Sequence, residues 1–177
     1  MRIDKAPFTF EIPGHPATKK NSPTLLKGRA VILPSKAYRA YERHFRQELM
    51  LLENKFGRLP HFTGPVQLTA WYYLKDRAHY PDLNGLIQAT QDILSDEYTR
   101  INGKRVLTRE WILADDRLVK LLDGCKIRGI DKTNPRTIIT ISPLELIPEE
   151  VELVKYLADF PQTVLQAGAT YSPSVIG

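Results

Sequence analysis

The stretch Val66 to Leu74, VQLTAWYYL, constrains the fold most. β-Branched and aromatic residues fill it, and Val66, Leu68, Ala70 and Tyr72 recur at every second position. That period of two predicts a half-buried strand. Phe8 to Ile12 (FTFEI) alternates in the same way and stops at the Pro13-Gly14 turn. Leu118 to Ile127 reads as a strand kinked at Gly124, and Arg136 to Ile141 as a last strand after the Asn134-Pro135 turn. A long basic loop, HPATKKNSPTLLKGRA, follows the Pro13-Gly14 turn, and Val31 to Leu33 after it is a short strand candidate.

Two helices accompany these strands. Ser35 is placed to cap the first, which runs to about Phe56 before Gly57. Tyr38, Tyr41, Phe45, Leu49 and Leu52 fall on one face, and Lys36, Arg39, Arg43 and Arg46 on the other. Asp82 opens the second helix, DLNGLIQATQDIL, whose buried face is Leu83, Leu86, Ile87, Thr90 and Leu94. Gly85 weakens that helix by about 1 kcal/mol relative to Ala, and local propensity supplies no reason for it. Asn102-Gly103 suits a type I′ hairpin turn. The order β-α-β-α-β-β predicts an α+β fold, a mixed four-stranded sheet with two main helices. From Pro148, EEVELVKYLADF predicts a C-terminal helix followed by a fraying tail. The expected division is residues 1–146 as the folded domain and residues 147–177 as helix and tail.

With 177 residues and 42% apolar side chains, the chain suits one well-cored domain. A single cysteine, Cys125, forms no intramolecular disulfide or multi-cysteine zinc site. That usage fits a reducing compartment. No apolar run reaches the ~20 residues of a membrane span, and the N-terminus lacks a signal-peptide core. A cytoplasmic protein without membrane contact is expected. There is no Gly-rich phosphate loop, so no nucleotide cofactor is expected. His15, His44, His61 and His79 sit on different elements, which argues against a histidine metal site. Cys125 reads as a buried strand residue rather than a nucleophile. The net charge of +5 permits nucleic-acid binding.

Within this basic chain the acids at two element starts stand out. Asp82 begins a helix, and Asp115-Asp116 precedes a strand. Phosphodiester hydrolysis commonly uses a divalent ion to neutralise charge and activate water. Magnesium takes hard oxygen ligands from a few carboxylates and keeps water for the rest. Asp82 and Asp116 are candidate ligands, and Asn84 shares the first helical turn with Asp82. Asp92 lies nearly three turns further along. Taken singly, each acid also fits a plain role: Asp82 an N-cap, Asp115-Asp116 a strand-entry turn.

The segment PDLNGLIQATQDIL, followed by ADDRLV, resembles the RusA family of Holliday junction resolvases, with its D-L-D-N helix start and later D-D element. EIPGHPATKKNSP and SKAYRAYERHFRQEL are similar to the family's opening strand, basic loop and first helix. The resemblance spans roughly Phe8 to Ile141. It implies a homodimer that binds four-way DNA junctions and cuts them with magnesium or manganese. It assigns catalysis to Asp82, Asn84, Asp115 and Asp116, and metal binding to Asp82, Asn84 and Asp116. Lys19 and Lys20 fall in the family's DNA-facing loop; Lys27, Arg29, Lys104 and Arg105 are further DNA-contact candidates. The chain departs from the pattern where Asn84 replaces an acid, Gly85 an asparagine and Gln88 a lysine. The region between helix and D-D element is also longer, by a hairpin bearing Arg100, Lys104, Arg105 and Arg109. Three functions therefore stand open: an active junction endonuclease, a catalytically impaired branched-DNA-binding protein of the same fold, and a domain without DNA function.

Overall fold

The computed structural model describes residues 6–19, 21–26, 29–78 and 80–145, with residues 21–33 as backbone only. All elements below belong to one compact unit, Met1–Leu144. The helix expected from Pro148 and the tail lie outside the described residues. In chain order the elements are β1 (Phe8–Pro13), β2 (Asn21–Leu26), β3 (Arg29–Pro34), α1 (Lys36–Phe56), β4 (Val66–Leu74), α2 (Leu83–Leu94), β5 (Glu97–Ile101), β6 (Lys104–Arg109), β7 (Val119–Leu122), β8 (Lys126–Ile130) and β9 (Arg136–Pro143).

The alternating stretch Val66–Leu74 is the inner strand of a mixed sheet. On one side β4 pairs antiparallel with β9, and β9 with β1. On the other side two strands share its edge in parallel: β7 along Val66–Leu68 and β8 along Trp71–Leu74. The fold is α+β as expected, but the sheet has five strands. The extra strand arises because Leu118 to Ile127 is not one kinked strand. The chain leaves the edge of β4 at Asp123 and rejoins it at Lys126. Cys125 lies in that break, outside any strand and half-buried, its thiol 3.5 Å from the Leu68 carbonyl. The basic loop also holds more order than expected, since β2 and β3 form an antiparallel hairpin from Asn21–Leu26 and Arg29–Pro34.

One face of the sheet carries Val66, Leu68, Ala70, Tyr72 and Leu74 of β4, with Ile139 and Ile141 of β9 and Phe10 and Ile12 of β1, all buried. Helix α1 covers it with Tyr38, Tyr41, Phe45 and Leu49, as the sequence predicts. Burial of Phe45 and Leu49 contributes about 1.5–3 kcal/mol each relative to exposure. Helix α2 adds Leu86, Ile87, Ala89, Ile93 and Leu94. Ser35 caps α1 by accepting the Tyr38 N–H at 3.1 Å. The hairpin β5–β6 turns at Asn102 (φ +52°) and Gly103 (φ +78°), the paired positive values of a type I′ turn. No helix among the described residues is long and apolar enough to cross a membrane.

Buried hydroxyls of this core are paired, whereas the Trp111 Nε1–H has no hydrogen-bond partner among the described residues. The Tyr72 hydroxyl on β4 lies 2.9 Å from Thr90 Oγ1 on α2, and Thr90 donates in turn to the Leu86 carbonyl at 3.0 Å. This link sets the rotation of α2 about its own axis, and so which side chains α2 presents away from the sheet. Replacing Thr90 with the near-isosteric Val leaves the buried Tyr72 hydroxyl without its partner. Thr90→Val is expected to destabilise the protein by about 1–3 kcal/mol in urea unfolding; an unchanged midpoint would show that the link carries no stability.

Candidate metal and phosphate site

The candidate acids sit on two elements, and the segment leading into the second is held tightly against the end of the first. Asp82 is the N-cap of α2, and its Oδ1 accepts the Gly85 N–H at 2.6 Å. The carboxylate is exposed and lies at the positive end of the helix dipole. Asn84, on the same first turn, is exposed as well. Asp92 stands in the last turn, about 15 Å along the axis at 1.5 Å per residue. Asp115 and Asp116 open a single 3-10 turn, Asp116–Leu118, immediately before β7, rather than the strand itself.

The segment before that turn is Trp111-Ile112-Leu113, which has no strand period but is buried in the core. The Leu94 carbonyl at the end of α2 accepts both Ile112 N–H (3.1 Å) and Leu113 N–H (2.9 Å). Phe62 donates to the Ile112 carbonyl at 2.8 Å and accepts from Ala114 N–H at 3.0 Å. The Asp96 carboxylate accepts the Trp111 N–H at 2.7 Å and lies 3.2 Å from His61 Nε2. These bonds hold the Asp115-Asp116 turn against the C-terminal half of α2.

Charge is distributed unevenly over the four acids. Lys19 binds Asp92, Nζ to Oδ2 at 2.8 Å. Arg117 clamps Asp115 through Nε at 2.6 Å and Nη2 at 3.0 Å, and its backbone N–H adds a third bond at 3.0 Å. These bonds hold the Asp115 carboxyl down at about 2. Asp116 moves the other way. Although Asp116 is exposed on the turn, partial desolvation raises it first, then the adjoining Asp115 carboxylate and the negative charge of Asp92. Among the described residues neither Asp82 nor Asp116 has a cationic partner.

Two features here have no counterpart in the sequence reading. The first concerns Gly85: a Cβ there would meet Asp82 Oδ2 at 2.9 Å and Thr18 Cγ2 at 3.0 Å. The glycine admits both the cap carboxylate and the Thr18 methyl, which local propensity could not reveal. The second concerns Lys19. Gly85, Gln88 and Asp92 share a face of α2 by their spacing. Thr18 and Lys19 meet that face at Gly85 and Asp92. Lys19 thereby sets an ammonium one helical turn from Gln88, the position of the lysine that the resemblance calls for.

The other expected residues are placed as follows. Lys20, Lys27 and His79 lie outside the described residues, and Arg29 is described as backbone of β3 only. Lys104 and Arg105 are exposed on β6. His15 lines a cavity of about 470 Å³ with Thr18, Lys75, Asp76 and Pro81, next to the Asp82 cap. Its Nδ1 accepts the Lys75 N–H at 3.0 Å, which puts the neutral ring's proton on Nε2. Burial lowers its pKa, partly opposed by Asp76. Among the described residues no three Asp, Glu, His or Cys side chains converge at ligand spacing. The arrangement offers oxygen donors on two elements, with two cations close by. The sequence matches no family model and no curated protein.

In metal-free protein Asp115 is expected to titrate at about 2. Arg117→Gln is expected to move it up toward the ordinary ~3.9, as read by carbon-detected NMR. A folded pKa below the unfolded one means the clamp stabilises the fold above the ordinary carboxylate range. That contribution is lost as pH falls toward the folded value. Gly85→Ala tests the close approach: helix propensity alone would add about 1 kcal/mol of stability. The expected result in urea is no gain, because Asp82 or Thr18 must move.

Proposed function

We propose that this protein is a metal-dependent endonuclease of the RusA type, which resolves Holliday junctions or other branched DNA by phosphodiester hydrolysis with magnesium, or manganese in its place. The observation that carries the reading is the charge pattern of the acids. Asp92 and Asp115 are satisfied by Lys19 and Arg117, while Asp82 and Asp116 have no cation among the described residues. The raised pKa of Asp116 reflects desolvation first and then the negative charges of Asp115 and Asp92, and a bound cation would relieve that crowding. The donor types suit such an ion, because magnesium takes one or two carboxylates and needs no all-protein cage, although among the described residues no three ligands converge. The resemblance gives Asp82, Asn84 and Asp116 as the residues that would hold it. A divalent ion supplies charge neutralisation, acidification of water and stabilisation of the leaving oxygen.

The chain's own groups do the rest. Asp115 keeps Arg117 folded over the turn. Lys19 holds its ammonium on the α2 face, where the departure at Gln88 removed one. His15 presents a neutral Nε2–H beside the cap, suited to a phosphate oxygen. We infer a homodimer, since a four-way junction offers two related strands for cutting, and a cytoplasmic setting, where such DNA is met. The second reading, a branched-DNA-binding protein without catalysis, draws on Asn84, which gives one carboxylate fewer than the family pattern.

Asp82→Asn and Asp116→Asn are each expected to reduce cleavage of a synthetic four-way junction in magnesium by about 100-fold or more. Junction binding should survive or tighten, because a negative charge facing phosphate is removed. Cleavage by both variants at the wild-type rate would overturn the site. Salt-sensitive junction binding by wild type, with no nicking in magnesium or manganese, would favour the second reading.

A further inference from the structure

The β5–β6 hairpin has no role in the acidic site itself, yet it interrupts the chain between the two acid-bearing elements. It leaves the end of α2 and returns to the segment that carries Asp115 and Asp116. Its base is anchored. Glu97 pairs with Arg46 of α1, Arg109 pairs with Glu53 of α1, and both arginines lie over the Trp111 ring, at 5.8 and 5.0 Å. Beyond that base the ribbon stands exposed from Tyr98 to Thr108. No acid occurs in that span, which carries Arg100, Lys104 and Arg105.

Strand pairing sorts its side chains onto two faces. Tyr98 opposes Leu107 and Arg100 opposes Arg105, so these four share one face. Thr99 opposes Val106 and Ile101 opposes Lys104 on the other. Two arginines directly opposite each other disfavour the hairpin. Arg105 lies over the Tyr98 ring at 3.7 Å, which holds one guanidinium flat on this face. Ile101 at the tip is 53% exposed, and Val106 on the same face is 39% exposed. At the foot of the ribbon a groove of about 460 Å³ adds Arg39 and Arg43 of α1, while Glu42 and Glu97 there are engaged by Arg46.

We propose that this ribbon is a duplex-binding arm, which enters a groove of one DNA arm beside the site and is flanked by Arg39 and Arg43. Charge complementarity selects the partner: an acid-free, two-stranded ribbon with opposed arginines suits a polyanion. The major groove of B-DNA, about 12 Å wide, admits a two-stranded β-ribbon. Arg100 and Arg105 contact phosphate or base edges, and Ile101 and Val106 lie against the apolar groove wall. The ribbon would then fix the direction in which a duplex leaves the Asp115-Asp116 turn. This rests on the nuclease reading for its biological setting, though not for its physics.

The test is binding of a fluorescent linear duplex and a four-way junction in EDTA, beside cleavage in magnesium. Arg100→Gln with Arg105→Gln alters only exposed side chains. It is expected to weaken duplex binding about tenfold or more, and to make the slope of log affinity against log salt shallower by about two. Lys55→Gln with Lys132→Gln removes the same charge elsewhere and is expected to change binding much less. Equal affinity and slope in the two double variants would overturn the arm, as would wild type that binds no duplex. Loss of the dimer with unchanged DNA affinity would overturn it too, by making the ribbon a subunit contact. The two readings part cleanly. Wild type that binds duplex through the ribbon but cuts nothing defeats the nuclease alone; cleavage indifferent to the ribbon defeats the arm alone.

Discussion

The double acceptance at the Leu94 carbonyl is the constraint on which the site depends. Two successive amides, Ile112 and Leu113, close on one oxygen at the end of α2. A helix leaves its last carbonyls without intrahelical partners, and here a returning segment supplies them. Phe62 fastens the same segment from its other side, and the Ile112 and Leu113 side chains are sealed in the core. The acidic turn that follows has little freedom to leave α2. Asp96 and Trp111 complete the joint at the point where the hairpin starts and ends. An insertion can therefore stand between the two acid-bearing elements without loosening their relation.

Electrostatics on this frame follow from geometry more than from composition. Four carboxylates within one basic chain do not behave alike. Arg117 reaches Asp115 because the 3-10 turn brings residues two apart side by side. Lys19 reaches Asp92 because Thr18 packs into the space left by Gly85. Asp116, exposed on the turn, remains with partial desolvation and neighbouring negative charge, and Asp82 with the helix dipole and the Gly85 N–H. Two of the four acids carry their own counter-charges and two have none among the described residues, in a domain that also projects a ribbon bearing Arg100, Lys104 and Arg105.

Much of this was legible in the residues. The strand at Val66–Leu74, both helices with their buried faces, the Ser35 and Asp82 caps and the Asn102-Gly103 turn all rest on local rules of period, capping and turn geometry, and the structure places each of them where those rules do. The single strand expected from Leu118 to Ile127 is two strands, because pairing along β4 resumes only beyond Asp123–Cys125, and pairing partners are not written in the run itself. The β2–β3 hairpin is not legible for a similar reason: NSPTLL carries no clear alternation, and its partner strand supplies the order. Trp111-Ile112-Leu113 gives no local signal because three apolar residues show no period. A WIL run one residue before an acidic pair, with Arg117 directly after the pair, is the one signal available.

The sequence by itself determined which acids were available, the elements on which they ride, and the cap that holds Asp82. Those are short-range properties, set by side-chain type and by neighbours within a few residues. Only the tertiary structure decided which acids are neutralised and which are not. It also supplied the reason for Gly85 and made a projecting cationic ribbon of a polar insertion. Those outcomes hang on contacts between residues far apart in the chain, such as Lys19 with Asp92 and Leu94 with Leu113, and no local rule encodes a partner that only folding brings near.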